Sequence, residues 1–253
     1  MRRALVAAIT LVGGAASAHV APSVDDNNRY LKLTPQADRV RLAYTVFFGE
    51  VPGGQMRPSL DTDRDGLISD AEAAVFGKKL AAEVAAGLDV SVDHVQHRLA
   101  WAEVIVGTGS PTVTAGSFSV DMIAYFCLAS IGGHHEVLVR DRFRLPRPGE
   151  TEVKIDDGIG IKITTARVGP ADDPTHDYKF VGPGGPLSDD GIELAFDVAD
   201  GAPRGTGACA SVAAAPAEPV KRKLSTGLVV GVAAVLGFVL AAIVAIVRRR
   251  RAN

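Results

Sequence analysis

Val40, Leu42, Tyr44, Val46 and Phe48 occupy every second position of the stretch 38–48. Alternation of this kind puts five large side chains on one face of an extended strand, and only a second layer can bury that face. The pattern returns at Ile192, Leu194, Phe196 and Val198 in the stretch 191–198. Shorter alternating runs lie at 29–33, 88–92, 98–106, 136–144, 152–155 and 159–163. The stretch 111–130 is long and turns apolar on both faces between Met122 and Leu128, as a central strand would. Asp156-Asp157-Gly158 separates two of the runs and predicts a hairpin turn between them. Seven to nine short strands and one helix are expected between about residues 28 and 200, enough chain for one core.

The fold expected from this pattern is mainly β, an immunoglobulin-like β-sandwich. The helix is predicted over residues 70–86, alanine-rich, with Phe76, Leu80 and Val84 at helical spacing and Gly87 as its stop. Immediately before and into it stands D-T-D-R-D-G-L-I-S-D-A-E, residues 61–72. Asp61, Asp63 and Asp65 alternate, so a curling backbone can aim three carboxylates at one point. Gly66 permits a sharp turn, Leu67 offers its backbone carbonyl, Ser69 can hold a bridging water, and Glu72 can close the site with both oxygens. Ile68 points away and anchors the loop on the core. A solvated acidic turn would leave four carboxylates repelling one another. The twelve residues resemble an EF-hand calcium loop, which implies Ca2+ held by Asp61, Asp63, Asp65, Leu67, Ser69 and Glu72. Pro52, Gly53, Gly54 and Pro58 argue against a long entering helix. With no second loop to pair with, the insertion 58–87 reads as a calcium clip and not as a switch.

Both ends of the chain are apolar. Arg2 and Arg3, the run 4–12 and Ala16-Ser17-Ala18 read as a signal peptide over 1–18, which makes His19 the expected mature terminus. Residues 224–247 are expected to form one transmembrane helix, charge-free from Thr226, and the basic tail 248–253 follows it. A membrane is therefore an expected partner, with a β-rich extracytoplasmic domain over 19–199. The Ala-, Gly- and Pro-rich segment 200–223 reads as a flexible stalk. The formal net charge is −2, too small to suggest nucleic acid.

Cys127 sits in an apolar strand and Cys209 in a loose small-residue segment, contexts so different that no disulfide is expected between them. His94 and His97 are expected to point to opposite faces of a strand or turn. His134-His135-Glu136 follows two glycines and reads as solvated turn histidines. A terminal His19 could chelate copper or nickel through amine and imidazole. No nucleophile, zinc-protease or phosphate-cradling motif is present in the sequence, so an enzyme is not expected; a hydrolase is the weaker alternative.

One further likeness rests on the histidine after the signal, the segment Asn28-Arg29-Tyr30-Leu31-Lys32-Leu33, the strand 38–48 and the acidic loop before an alanine-rich helix. Residues 19–87 resemble the extracytoplasmic N-terminal regions of bacterial HupE/UreJ-like and nickel/cobalt transporter proteins. That resemblance implies a bacterial envelope protein beside a metal transport system. Those proteins continue into several membrane helices, so it would imply an accessory subunit here. The expected function is a single-pass, membrane-anchored extracytoplasmic protein, periplasmic or at the cell surface. Its calcium is structural, it has a protein partner in the envelope, and it works as a binding or accessory module. The alternative is an accessory protein handling nickel, cobalt or copper through His19.

Overall fold

The computed structural model describes residues 25–207, 209 and 212–213. The expected signal peptide, His19, the helix 224–247 and the basic tail lie outside the described residues. Among the described residues no helix is long and apolar enough to cross a membrane.

In chain order the elements are β1 (Asn27–Pro35), β2 (Arg39–Phe48), α1 (Glu50–Met56), a 3-10 turn (Arg57–Ser59), α2 (Asp70–Gly87), β3 (Leu88–Val92), β4 (Val95–Arg98), β5 (Trp101–Gly107), β6 (Phe118–Cys127) and β7 (Gly133–Asp141). There follow β8 (Pro148–Ile155), β9 (Ile161–Val168), β10 (Ala171–Asp172), β11 (Asp177–Val181), α3 (Gly185–Ser188), β12 (Ile192–Val198) and β13 (Val212–Ala213). They form two sheets, one in the order β11-β8-β1-β2-β6-β5 and the other β10-β9-β12-β7-β3-β4-β13. The chain is therefore mainly β and two-layered.

The alternation read in the sequence is the alternation of burial. Val40, Leu42, Tyr44, Val46 and Phe48 of β2 face inward, and so do Leu194 and Phe196 of β12 from the other sheet. Side chains of both sheets and of α2 join in one buried cluster, which is what makes each apolar face worth forming. α2 begins at Asp70 because Ser69 and Glu72 form a reciprocal capping box. It lies against β5, where the Trp101 indole donates to the Ala81 carbonyl at 2.8 Å. Phe76 meets Phe48 and Phe118 edge-on, with ring centroids 5.9 and 5.7 Å apart.

Several expectations are corrected. Asp156-Asp157-Gly158 does not close a hairpin, because β8 and β9 belong to different sheets and the turn carries the chain across the sandwich. β8 instead lies parallel to β1. The strand expected over 111–130 is ordered as β6 only from Phe118, and it is buried on alternate positions, not on both faces. The absence of a long entering helix stands: α1 has seven residues, with Pro52 in its first turn, and Gly53 is where a Cβ would come within 2.7 Å of the Gly116 carbonyl oxygen.

Cys127 and Cys209 do form a disulfide, with Cα atoms 5.8 Å apart. Local context separates the two residues, but the tertiary path brings Cys209 back beside β6. The segment from residue 200 is likewise no free stalk at its start. Arg39 donates to the carbonyls of Gly205, Thr206 and Gly207, and Val212 pairs with Arg98 of β4.

Candidate functional site: the acidic loop and the face of the second sheet

Asp61, Asp63 and Asp65 each place one carboxylate oxygen within 4.8 Å of the others. Gly66 makes the turn at φ +88°. Asp61 is nearly buried; its Oδ2 accepts the Gly66 N–H at 3.0 Å, while its Oδ1 is buried with no hydrogen-bond partner. The Asp63 carboxyl accepts the Asp65 N–H, which pulls its pKa down. Desolvation and the carboxyls of Asp65, Glu72 and Asp61 outweigh that and leave it above its ordinary value.

The sequence-predicted ligands fall into two groups. The three aspartates converge. Glu72 does not join them: its Oε2 accepts from the Ser69 N–H at 3.0 Å and the Ser69 hydroxyl at 2.8 Å, and its Oε1 accepts from the Thr62 N–H and hydroxyl. The Ser69 N–H first, then the Thr62 and Ser69 hydroxyls and the Thr62 N–H, hold its pKa near 2. Glu72 thus already ties the end of the loop to its beginning. Ser69 is spent on the same cap.

Ile68 is anchored as expected, only 4% exposed. Its backbone has a partner that the sequence did not reveal. The Ile68 N–H donates to the Pro111 carbonyl at 2.7 Å, and the Val113 N–H donates to the Gly66 carbonyl at 3.1 Å. Leu67 and Thr112 therefore stand opposite each other in a one-residue antiparallel bridge. That pairing uses Gly66 and Ile68 and leaves the carbonyl of Leu67 outside it. Segment 110–113 is thus a backbone partner of the acidic loop.

Arg57 holds that segment. Its side chain is fully buried and donates to the carbonyls of Ser110 (2.8 Å), Thr112 (3.0 Å), Gly116 (2.9 Å), Ser117 (3.1 Å) and Thr108. Burial pulls its guanidinium below the ordinary value, and Glu50 opposes this. An arginine before a serine-leucine turn carries no motif, so only the coordinates reveal it. Arg57→Met is expected to cost about 2–3 kcal/mol, since a charged donor is lost to several carbonyls at once. The urea midpoint measures it, and a change under about 0.5 kcal/mol, the surface-substitution range, would show that the loop stands without Arg57.

His134 and His135 are strand residues and not turn residues. His134, His135 and Glu136 belong to β7. His135 points inward, 1% exposed, with Nδ1 2.9 Å from Asp93 Oδ2. His134 and Glu136 point outward, and His134 Nδ1 lies 2.8 Å from Asp197 Oδ1. The Asp197 contact raises the His134 pKa. His94 is exposed at the tip of the β3–β4 hairpin, 3.5 Å from Glu136. His97 turns toward Phe126, and burial lowers its pKa.

No known protein-family model matches the chain, and no curated protein matches it.

Proposed function

We propose that this is a membrane-anchored extracytoplasmic protein whose immunoglobulin-like sandwich carries one structural calcium ion in an EF-hand-like loop–helix insertion, and that it works as a non-enzymatic binding or accessory module. The observation that carries the reading is the buried Asp61 Oδ1, an anionic oxygen without a donor, beside two more aspartate oxygens within 4.8 Å. An all-oxygen donor set that includes a backbone carbonyl suits a hard cation such as calcium. Glu72 would complete it by exchanging its Thr62 contacts for the ion. Anchoring through Ile68, segment 110–113 and Arg57 favours a clip over a switch. The Cys127–Cys209 disulfide fits an oxidising, extracytoplasmic compartment. The alternative through His19 gains no observation, because that residue lies outside the described part.

Calorimetric titration of the full-length protein should show one calcium site, lost in Asp61→Ala and in Glu72→Ala. With calcium at about 100 times Kd, linkage adds about 2.7 kcal/mol to stability. An unchanged melting temperature between chelator and millimolar calcium overturns the reading.

A further inference from the structure

We propose that the outer face of the second sheet carries a separate transition-metal site, built from His94, His134 and Glu136, that takes a divalent ion of the zinc class. The proposal does not rest on the calcium reading.

Strand register assembles the site. Along β7, His134 and Glu136 are two residues apart and share the outward face. Asp197 of β12 stands directly opposite His134. On the other flank, Val92 pairs with Val95, so Asp93 and His94 are the two residues of a tight hairpin turn. Asp93 fixes that turn to β7: its Oδ1 accepts the Glu136 N–H at 3.0 Å, its N–H donates to the Glu136 carbonyl at 2.8 Å, and its Oδ2 meets His135. His94 is thereby held beside Glu136.

Two observations point to a ligand. The Nε2 atoms of His94 and His134 flank one carboxylate, 3.5 Å from Glu136 Oε2 and 3.8 Å from Glu136 Oε1. A tetrahedral ion with bonds of about 2.0–2.1 Å separates its donor atoms by about 3.3 Å. Both histidine–carboxylate distances are close to that, but they run to different oxygens of Glu136 and the three donor atoms do not yet lie within 4.8 Å of one another, so the exposed side chains must turn toward a common point to share one ion. The second observation is Asp197. A carboxylate on Nδ1 fixes the tautomer that leaves the Nε2 lone pair of His134 free, which is how metal-bound histidines are oriented. Asp93 and His94 have φ of +49° and +64°, left-handed positions that aspartate and histidine adopt more readily than most residues, so the turn can present His94. Two imidazoles and one carboxylate suit zinc and its neighbours, whereas the oxygen-only loop suits calcium. Both cysteines are in the disulfide and do not compete for the ion.

The test uses full-length protein carrying His19→Ala, with calcium in excess, titrated with Zn2+ and separately with Co2+ as a spectroscopic probe. One Zn2+ per chain is expected, with a tetrahedral Co2+ spectrum, and both are abolished in His94→Ala and His134→Ala. Asp197→Asn keeps all three ligands and should weaken binding about 10–100-fold. Should His134→Ala not fold, Glu136→Gln, an exposed and nearly isosteric change, serves in its place. Absence of Zn2+ uptake, or uptake that is unchanged in these variants, overturns the site. Neither outcome alters the calcium titration.

Discussion

Arg29→Met is expected to lower stability by about 3–5 kcal/mol, because it strands a buried carboxylate. The Arg29 side chain is 1% exposed and that of Asp141 is fully buried. Arg29 Nη1 donates to Asp141 Oδ2 at 2.6 Å, and the Tyr44 hydroxyl donates to the same oxygen at 2.7 Å. The Phe143 N–H donates to Asp141 Oδ1 at 2.8 Å. Burial alone would pull the Arg29 pKa down, but Tyr44 and Asp141 leave it raised. Burial first, then Asp141, lifts Tyr44 well above its ordinary value, so it stays a neutral donor. The group joins β1, β2 and β7, and through them both sheets. Urea midpoints of the wild-type and variant proteins would measure the loss. Arg29→Met/Asp141→Asn should recover part of the loss, since no charge is then buried. A loss under about 1 kcal/mol in the single variant would mean that water replaces the guanidinium and that the pair does not join the sheets.

How far the sequence reveals this molecule depends on whether a signal is local. Alternation is local, and the inward faces of β2 and β12 could be read from it. The acidic loop is local too: Asp61, Asp63, Asp65, Gly66 and Ile68 all take the expected places, and Ser69 and Glu72 cap α2. What could not be read is what distant segments do to one another. Asp156-Asp157-Gly158 has hairpin chemistry, yet the choice between a hairpin and a sheet crossing is made by β1, more than a hundred residues earlier, which pairs with β8. Residues 111–117 read as the start of the strand expected over 111–130. Arg57 and the acidic loop take their backbone groups instead. His134 and His135 looked alike beside two glycines, but the pleat sends one to solvent and buries the other. Only Glu136, two residues from His134, hinted that a face was being built.

The disulfide is where sequence context misled most, and breaking it should have an effect comparable to that of losing Arg29. Its half-cystines are 82 residues apart. In the chain-entropy model, closing a loop of that length removes about 4–5 kcal/mol of unfolded-state freedom, and measured losses fall at about 2–5 kcal/mol. The folded state has its own stake in the bond. Cys127 ends β6 and stands opposite Arg39 of β2 in the first sheet. Arg39 is paired with Asp38 at 2.7 Å and holds the carbonyls of Gly205, Thr206 and Gly207. Beyond Cys209, Val212 adds to β4 of the second sheet. The bond thus pins the departing chain between a contact on one sheet and a pairing on the other. Cys127→Ala/Cys209→Ala should lower the urea midpoint by the full amount. It should also speed amide exchange at residues 205–207 and 212–213 before β2 and β6 are affected, because β13 is a two-residue strand at the edge of its sheet. Uniform exchange across both regions would assign the bond's effect wholly to the unfolded chain. A stability loss below about 1 kcal/mol would show that Arg39 and Asp38 hold residues 205–207 without it.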